Sequence, residues 1–388
     1  MVRVSQRFSR LPEYPLSNLA GTKKKLAKKG IRIIDLGAGD ANLSPPSEVI
    51  QTLSEASQQI EMSRYSFQAG LPSFREEVAN WMKKRFGIKL DPNREILPLL
   101  GSKEGIAKLP LAFMDPGDVA IIPDPGYQSY LGGVILAGGN ACLTPLRPEE
   151  NFLIPLDGFQ AEITSKVRLL YMNYPNNPTT AVASPEYLQE AVTFCHRTKS
   201  LLVHDHAYSE IAFDGYRPSS ILEIEGAKDV SLEFHSFSKT YNMTGWRLGW
   251  VAGGADLISA LSKVKTFMDT GSFKAIQAAG VTALKNYDNW VPENVATFES
   301  RRNVAVESFT QEGFSVNKPK ATMYLWIPIP GTESSMEFAR RALEEEGVVV
   351  LPGAGLGAGG EGFFRIALTV ENSLMRVAAK RLGRLIGK

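Results

Sequence analysis

The chain has 388 residues, of which 44% are hydrophobic and 22% are charged, and its 43 basic and 41 acidic side chains leave a net charge of only +2. This balance lacks the excess of positive charge expected of a protein whose main partner is nucleic acid. The only two cysteines, Cys142 and Cys195, are too few for a disulfide scaffold and lack the CxxC spacing of a zinc or redox site, so we predict a reducing, cytoplasmic compartment. No apolar run approaches the roughly 18 residues that a membrane span needs, and we expect neither a membrane anchor nor an export signal.

Two segments near the amino end combine a predicted strand or loop with glycine. Residues 33–46 (IIDLGAGDANLSPP) predict a strand and a glycine-rich turn, and residues 64–77 (RYSFQAGLPSFREE) predict a loop that enters a helix. Both fit plain connections. Gly39 and Tyr65 become candidates for a site only if the rest of the chain builds one.

Short, wholly apolar runs then alternate with longer amphipathic segments. These runs are residues 119–122 (VAII), 167–171 (VRLLY), 201–203 (LLV) and 249–252 (GWVA). Strands too apolar to show alternation predict a mostly parallel sheet with helices on both faces, which is an α/β fold. Ligands of such sheets lie at the carboxyl ends of the strands, so we expect the functional side chains in the residues that follow each run.

The turn GSKEG at residues 101–105 lies between a predicted strand and a predicted helix. Its glycine and serine leave backbone N–H groups free at the positive end of a helix, where a phosphate binds well, although a simple helix start fits equally. Ser102 and Lys103 are the candidates here. Residues 124–130 (DPGYQSY) follow the next strand and place Tyr127 where its ring could cover a planar ligand.

Residues 171–180 (YMNYPNNPTT) and 201–210 (LLVHDHAYSE) both continue an apolar run into polar side chains. Prolines on either side fix the backbone around Asn177, which favours a site contact over a solvent loop. Asp205 has two possible roles. Its carboxylate either caps the next helix or holds a proton on a heteroaromatic nitrogen of a ligand, in which case Tyr208 would face the same ligand. We interpret His204 and His206 as packing residues and predict no metal, because no third ligand is nearby in sequence.

The segment at residues 235–250 (HSFSKTYNMTGWRLGW) is the most informative. Its serines and its arginine, which are Ser236, Ser238 and Arg247, predict an anion cradle just before a strand. Lys239 lies among them, and a desolvated lysine amine is a nucleophile that forms Schiff bases with aldehydes. A plain surface loop is the alternative.

The chain changes character after about residue 285. A long charged helix is predicted over 290–312, followed by a strand (324–329), a helix (336–346) and strands at 348–351 and 363–368, which together predict a smaller α+β unit. Arg365 is the only charge within FFRIAL. It is either paired with a carboxylate in the core or held for the carboxylate of a substrate.

Taken in chain order, these segments resemble the fold-type I, class I aminotransferases that use pyridoxal 5'-phosphate (PLP). The resemblance is carried by the SxSK and GxR pattern at residues 236–247, the YPNNPT pattern, the DxAY pattern at 205–208 and the late Arg365. It implies a large domain at 46–284 with a mostly parallel seven-stranded sheet between helices. It also implies a small α+β domain at 285–388, joined by the N-terminal segment 1–45.

The resemblance also implies roles for single residues. Lys239 would form the internal aldimine and move the proton between the substrate Cα and the cofactor, while Arg365 and Gly39 would bind the α-carboxylate. Asp205 would keep the pyridine nitrogen protonated. Asn177 and Tyr208 would contact the phenolic oxygen of the cofactor, and Tyr127 would stack on its ring face. The phosphate would be bound by Ser102, Lys103, Ser236, Ser238 and Arg247, and Tyr65 would reach the phosphate in the site of the neighbouring subunit. A homodimer that acts on an amino acid and a 2-oxo acid follows from these roles.

Within this family the chain looks most like the LL-diaminopimelate aminotransferase-like subgroup, in which Tyr14 would face the substrate. Two departures concern specificity, because GDAN replaces the more usual GDPD beside Gly39 and PTT replaces PTG at Thr180. Aspartate, alanine or broad-range transamination therefore stay open. So do a PLP-dependent C–S lyase, a decarboxylase and a binding module without turnover, because they use the same lysine and phosphate seat.

Overall fold

The computed structural model describes residues 2–12, 30, 32–40 and 42–386. Its strands are β1 (Ile34–Asp35), β2 (Ile96–Leu99), β3 (Val119–Asp124), β4 (Asn140–Pro145), β5 (Val167–Met172), β6 (Leu201–Asp205), β7 (Ser231–Ser236), β8 (Gly249–Gly253), β9 (Tyr324–Pro328), β10 (Val348–Val349), β11 (Leu351–Pro352) and β12 (Phe363–Ala367). Its α-helices are α1 (Gln6–Ser9), α2 (Ser47–Ser57), α3 (Pro72–Phe86), α4 (Ser102–Lys108), α5 (Pro110–Phe113), α6 (Gln128–Ala137), α7 (Ala161–Lys166), α8 (Pro185–Thr198), α9 (Ala227–Val230), α10 (Phe237–Thr240), α11 (Ala255–Thr266), α12 (Lys274–Lys285), α13 (Tyr287–Gln311), α14 (Ser335–Glu344) and α15 (Asn372–Ile386). No helix in these ranges combines the length and the apolar character needed to cross a membrane.

A seven-stranded sheet forms the centre of the molecule, in the order β2-β8-β7-β6-β5-β3-β4. The pairs β3/β4, β3/β5, β5/β6 and β6/β7 are parallel, and β8 alone runs against its two neighbours. The predicted mostly parallel sheet is therefore confirmed. Because β2, β3, β5, β6 and β7 run in one direction, the residues that follow them meet at one edge of the sheet.

Both faces of the sheet are covered, as strands without alternation require. On one face, side chains such as Leu202 and Leu170 pack with α3 and α8. On the other, Val203 and Leu169 pack with α4, α6 and α11. Since successive side chains of a strand point to opposite faces, neighbouring residues of β6 and β7 lie in two different environments.

The reversal of β8 creates a crossing segment over the edge of the sheet. Ser236 at the end of β7 pairs with Gly249 at the start of β8, so residues 237–248 must turn back there. The first part of this segment is the short helix α10, which contains Lys239. The same segment carries Arg247, whose backbone adopts a positive φ of 57°.

The carboxyl-terminal part of the chain adds a three-stranded antiparallel sheet in the order β11-β12-β9. The strand β1 from the amino-terminal part pairs with β10 in parallel. A separate core joins Ile34 and Leu36 to the long helix α13 and to α15 through residues such as Phe298 and Leu382. We keep the division at residues 1–45, 46–284 and 285–388 as a prediction.

Candidate active site

A cavity of about 700 Å³ opens at the carboxyl edge of the large sheet. Its wall contains side chains that follow β2, β3, β5, β6 and β7, together with residues of the segment before α2 and of β12. The cavity is lined by these sequence-predicted residues: Gly39, Ser102, Lys103, Tyr127, Asn177, Asp205, Tyr208, Ser236, Ser238, Lys239, Arg247 and Arg365. The parallel strands explain this convergence, because their carboxyl ends share one edge.

Asp205 ends β6 and is 6% exposed. Its Oδ2 accepts a hydrogen bond of 2.8 Å from the Tyr130 hydroxyl, whereas its Oδ1 has no partner within the part of the chain that the structure describes. Burial raises the pKa of this carboxyl, and the Tyr130 hydrogen bond lowers it only in part. A cationic N–H donor at Oδ1 would satisfy the free oxygen and stabilise the carboxylate, which is what a protonated pyridine nitrogen offers.

The Lys239 side chain projects from α10 into the cavity. Its Nζ donates a hydrogen bond to the backbone carbonyl of Gly39, which lies 200 residues earlier in the chain. Gly39 approaches closely because it has no side chain, and a Cβ at this position would collide with the Tyr324 hydroxyl. The amine therefore lies between the sheet edge and the amino-terminal segment.

Groups suited to an anion converge beside Lys239. Ser102 is the first residue of α4, so its backbone N–H is among the free donors at a helix N-terminus. The Arg247 guanidinium donates to the Ser238 Oγ at 3.5 Å and to the Thr244 carbonyl at 2.6 Å. Gly101 has a φ of 76°, and a side chain there would strike the Arg247 guanidinium. A helix N-terminus, serine hydroxyls and a guanidinium are the donors that bind phosphate in proteins.

Arg365 also lines the cavity and is 5% exposed. Its Nη1 donates to Asn177 Oδ1 and its Nη2 donates to the Gly37 carbonyl, both at 2.7 Å. The guanidinium also lies 4.1 Å from the centre of the Tyr324 ring. These partners are a neutral amide, a peptide carbonyl and an aromatic face, and they orient the guanidinium without neutralising its charge.

Two tyrosines complete this wall. The hydroxyls of Tyr208 and Tyr324 lie 3.0 Å apart, and both side chains are buried. Burial raises the pKa of Tyr208. Burial acts on Tyr324 in the same direction, but the positive charges of Arg365 and Lys239 outweigh it and lower the pKa of Tyr324. The positive charges of the cavity therefore favour bound anions.

The family model for class I and II aminotransferases matches residues 31–382. The chain belongs to this family. Relatives with similar sequences include the LL-diaminopimelate aminotransferase of Moorella thermoacetica, which is 44% identical over 99% of both chains. The LL-diaminopimelate aminotransferase 2 of Nostoc sp. is 42% identical over 98% of both chains.

The solved structures that this aminotransferase resembles lead to the same family. Substrate-bound BacF from Bacillus subtilis superposes with a TM-score of 0.95 at 32% identity, covering 99% of this chain and 98% of that one. A probable N-succinyldiaminopimelate aminotransferase from Thermus thermophilus has a TM-score of 0.90 at 35% identity, over 94% and 98% of the two chains. The protein is thus a PLP-dependent transaminase that moves an amino group between an amino acid and a 2-oxo acid.

One described site prediction, Tyr65, lies outside the cavity wall of this aminotransferase, and another prediction falls on a residue that the structure does not describe. Tyr65 is not part of the cavity wall and is 71% exposed, so its predicted role in a neighbouring subunit's site stays a prediction. Tyr14 lies outside the described residues. Sequence reasoning missed Tyr130 and Tyr324, whose hydroxyls contact Asp205 and Tyr208. Tyr130 lies within the DPGYQSY segment, whereas the strand YLWIP contains no pattern that singles out Tyr324.

Proposed function

We propose that this aminotransferase takes LL-diaminopimelate as amino donor and 2-oxoglutarate as acceptor. The observation that carries the proposal is the 41 to 44% identity, over nearly the whole chain, to proteins named for that activity. The departure from GDPD falls at residues 41 and 42, next to Asp40, which lines the cavity, so a different donor is the outcome that the experiment below must be able to reveal.

The residues of the cavity fit PLP. When bound, this cofactor withdraws electrons from the substrate Cα through its protonated ring. We propose that Asp205 Oδ1 accepts the ring N–H and that Tyr127 covers the ring face. Because Asn177 Oδ1 already accepts from Arg365, its amide N–H groups remain to donate to the phenolic oxygen alongside the Tyr208 hydroxyl. The phosphate contacts are Ser102, the Lys103 backbone, Ser236, Ser238 and Arg247.

The substrate contacts follow from the same geometry. Arg365 binds the α-carboxylate, since its guanidinium is fixed in place while keeping its full charge. Lys239 Nζ would take the proton from the substrate Cα and deliver it to the bound cofactor within the same half-reaction, and the second half-reaction would run this transfer in reverse. The Gly39 carbonyl orients the amine, and Gly39 also borders the carboxylate. Tyr14 is proposed to face the substrate on sequence grounds alone.

We propose that the enzyme is a homodimer in which Tyr65 reaches the phosphate of the partner's site. Supporting this, a group of large apolar side chains is exposed on two adjoining segments: Ile60, Tyr65, Phe67, Phe267 and Phe273. The two segments are joined by hydrogen bonds from Ser66 Oγ to the Thr270 carbonyl and from Gln68 to the Asp269 carbonyl. Exposed patches of this kind mark association surfaces. Phe267→Glu should therefore raise the dimer dissociation constant in sedimentation experiments.

We also propose a cytoplasmic location, which is consistent with the free thiols of Cys142 and Cys195.

The absorbance spectrum of the purified holoenzyme tests the substrate proposal. Single amino acids are added in turn, namely LL-diaminopimelate, glutamate, aspartate and alanine. We expect the visible band of the bound cofactor to bleach with LL-diaminopimelate and glutamate and to return with 2-oxoglutarate. A bleach with aspartate or alanine but not with LL-diaminopimelate would assign a different donor, and a band that no donor bleaches would contradict transamination.

A further inference from the structure

A cluster of buried polar side chains lies behind the active site, on the opposite face of the large sheet. It consists of His204 on β6, Glu233 and His235 on β7, and Ser220. All four are at most 2% exposed. Asp205 and Ser236, the next residues in sequence, line the cavity, because successive side chains of a strand point to opposite faces. The cluster is thus separated from the cofactor site by the thickness of the sheet.

Glu233 is the centre of this cluster. Its Oε1 accepts hydrogen bonds from Ser220 Oγ at 2.7 Å and from His235 Nε2 at 2.8 Å. Its Oε2 accepts from the Ile221 backbone N–H at 2.7 Å and lies 3.0 Å from His204 Nδ1. Burial alone would raise the pKa of Glu233, but the surrounding histidines hold it well below its ordinary value. The carboxylate is therefore ionised and fully hydrogen-bonded.

The two ring nitrogens of His204 both face groups that only accept hydrogen bonds. Nδ1 faces the Glu233 carboxylate, and Nε2 lies 3.2 Å from the backbone carbonyl of Tyr174. A neutral imidazole has a single N–H and would leave one of these contacts as a repulsion between lone pairs. Both contacts are satisfied as hydrogen bonds only when His204 carries two hydrogens.

His204 connects segments that bear site residues. Tyr174 precedes the turn that presents Asn177, and His204 immediately precedes Asp205. In the sheet, His204 pairs with Glu233 and Asp205 pairs with Phe234, which brings the ends of β6 and β7 into register. Burial raises the pKa of Asp205, and His204 and His235 are among the groups that oppose this effect.

We propose that His204 is a positioning residue that donates from both ring nitrogens, to Glu233 and to the Tyr174 carbonyl, and acts through Asp205 to keep that carboxylate ionised and in place. The inference rests on the proposed contact between Asp205 and the ring nitrogen. The other titratable groups around His204 are its hydrogen-bonded partner Glu233, His235 across β7, and His206, whose ring stacks on His204 at 4.6 Å.

His206 provides a matched control. It is fully buried like His204, but both of its ring nitrogens lack a hydrogen-bond partner among the described residues. Its Nδ1 lies 3.5 Å from Glu233 Oε2, which is too long for a strong hydrogen bond. Burial lowers the pKa of His206 to about 3, so this ring is neutral.

The first test measures protonation directly. The chain contains only four histidines, so the holoenzyme can be labelled with ¹⁵N-histidine and each resonance assigned from single variants of His196, His206 and His235. We expect both nitrogens of His204 to carry hydrogens at pH 8, and His206 to show one nitrogen without a hydrogen. A nitrogen without a hydrogen on His204 at pH 8 would overturn the proposal.

The second test asks whether His204 acts through Asp205. In a double-mutant cycle, the rate of the first half-reaction is measured for His204→Gln, Asp205→Asn and the double variant, with His206→Ala as control. We expect His204→Gln to lower the rate at least tenfold in the wild-type background and less than twofold in the Asp205→Asn background. His206→Ala should change it less than twofold.

Equal losses in both backgrounds would show a purely structural role for His204 and refute the inference. Should His204→Gln fail to fold, Glu233→Gln takes its place in the cycle, since it removes the anion that holds the His204 ring. If Asp205→Asn alone leaves the rate unchanged, the proposed role of Asp205 fails instead. The two failures are therefore distinguishable.

Discussion

The proposed carboxylate site leads to a specific prediction for Arg365→Lys. In the structure the guanidinium uses one N–H of each terminal nitrogen for Asn177 and for the Gly37 carbonyl. Its Nε makes no hydrogen bond within the described residues. The planar fork can therefore hold these two partners and a substrate carboxylate at the same time. A lysine amine has three donors on a single atom and cannot reproduce this arrangement.

The magnitude follows from the bonds that are lost. A hydrogen bond between charged groups contributes about 1.5 to 3 kcal/mol. Because about 1.4 kcal/mol corresponds to a factor of ten, Arg365→Lys should raise KM for the amino donor by about one to two orders of magnitude. The positive charge is retained, so the loss should be smaller than that of Arg365→Met, which also removes the charge.

Steady-state kinetics with the identified donor, run with both variants and the wild type, measure the effect. Thermal unfolding of the same preparations controls for the buried position of Arg365, which is 5% exposed. A KM within twofold of the wild-type value in a folded Arg365→Lys variant would show that the residue is structural. The α-carboxylate would then bind elsewhere.

Three further predictions concern other positions. Lys239→Ala should abolish turnover while the circular dichroism spectrum stays unchanged, because the side chain projects into the cavity; full activity would contradict the proposed role. Thr180→Gly should stabilise the protein by about 1 kcal/mol in urea unfolding, since this β-branched residue has a φ of 64°. The same change at Asn151 (φ 53°) should gain less, because asparagine tolerates that conformation, and an equal gain would refute the argument. Burial holds the pKa of His206 at about 3, against its ordinary value of 6.5. As the pH falls, the imidazole therefore becomes protonated in the unfolded chain before it does so in the folded protein. The contribution of this group to the free energy of unfolding is complete above pH 6.5 and falls by about 1 kcal/mol per pH unit as the pH drops toward 3. His206→Ala should remove this contribution to the pH dependence, which is measured by comparing the free energy of unfolding at about pH 6.5 and at about pH 5.

The α/β class of the fold could be predicted from sequence because its signal is local. Runs such as VAII and LLV are too apolar to face water on either side, and they form β3 and β6 in the centre of the sheet. The predicted elements after residue 285 follow the same logic. The helix predicted at 290–312 matches α13 (Tyr287–Gln311) apart from a few residues at its ends, and the strand predicted at 324–329 contains β9 (Tyr324–Pro328). Hydrophobic periodicity depends only on neighbours in the chain.

The cavity wall was also largely predictable, because parallel strands bring their carboxyl ends to one edge. Asp205 and Ser236 end β6 and β7, Asn177 follows β5, and all three line the cavity. No comparable local signal exists for Tyr324, which reaches the site only because β9 pairs with β12 and places its ring against Arg365. Contacts of this kind depend on packing between distant segments.

The histidines show most clearly what the sequence alone determined and what required the tertiary structure. Alternation along LLVHDHAY indicates that His204 and Asp205 point to opposite faces of the sheet, and the interpretation of the histidines as buried packing residues agrees with their 0% exposure. That Glu233 lies beside His204 follows from the register of β6 with β7, since these residues are 29 positions apart. Sequence patterns determine which residues are buried and which way they face, because burial depends on local polarity. Strand pairing decides which buried polar groups meet, and in a low-dielectric interior that decides which hydrogen bonds His204 makes.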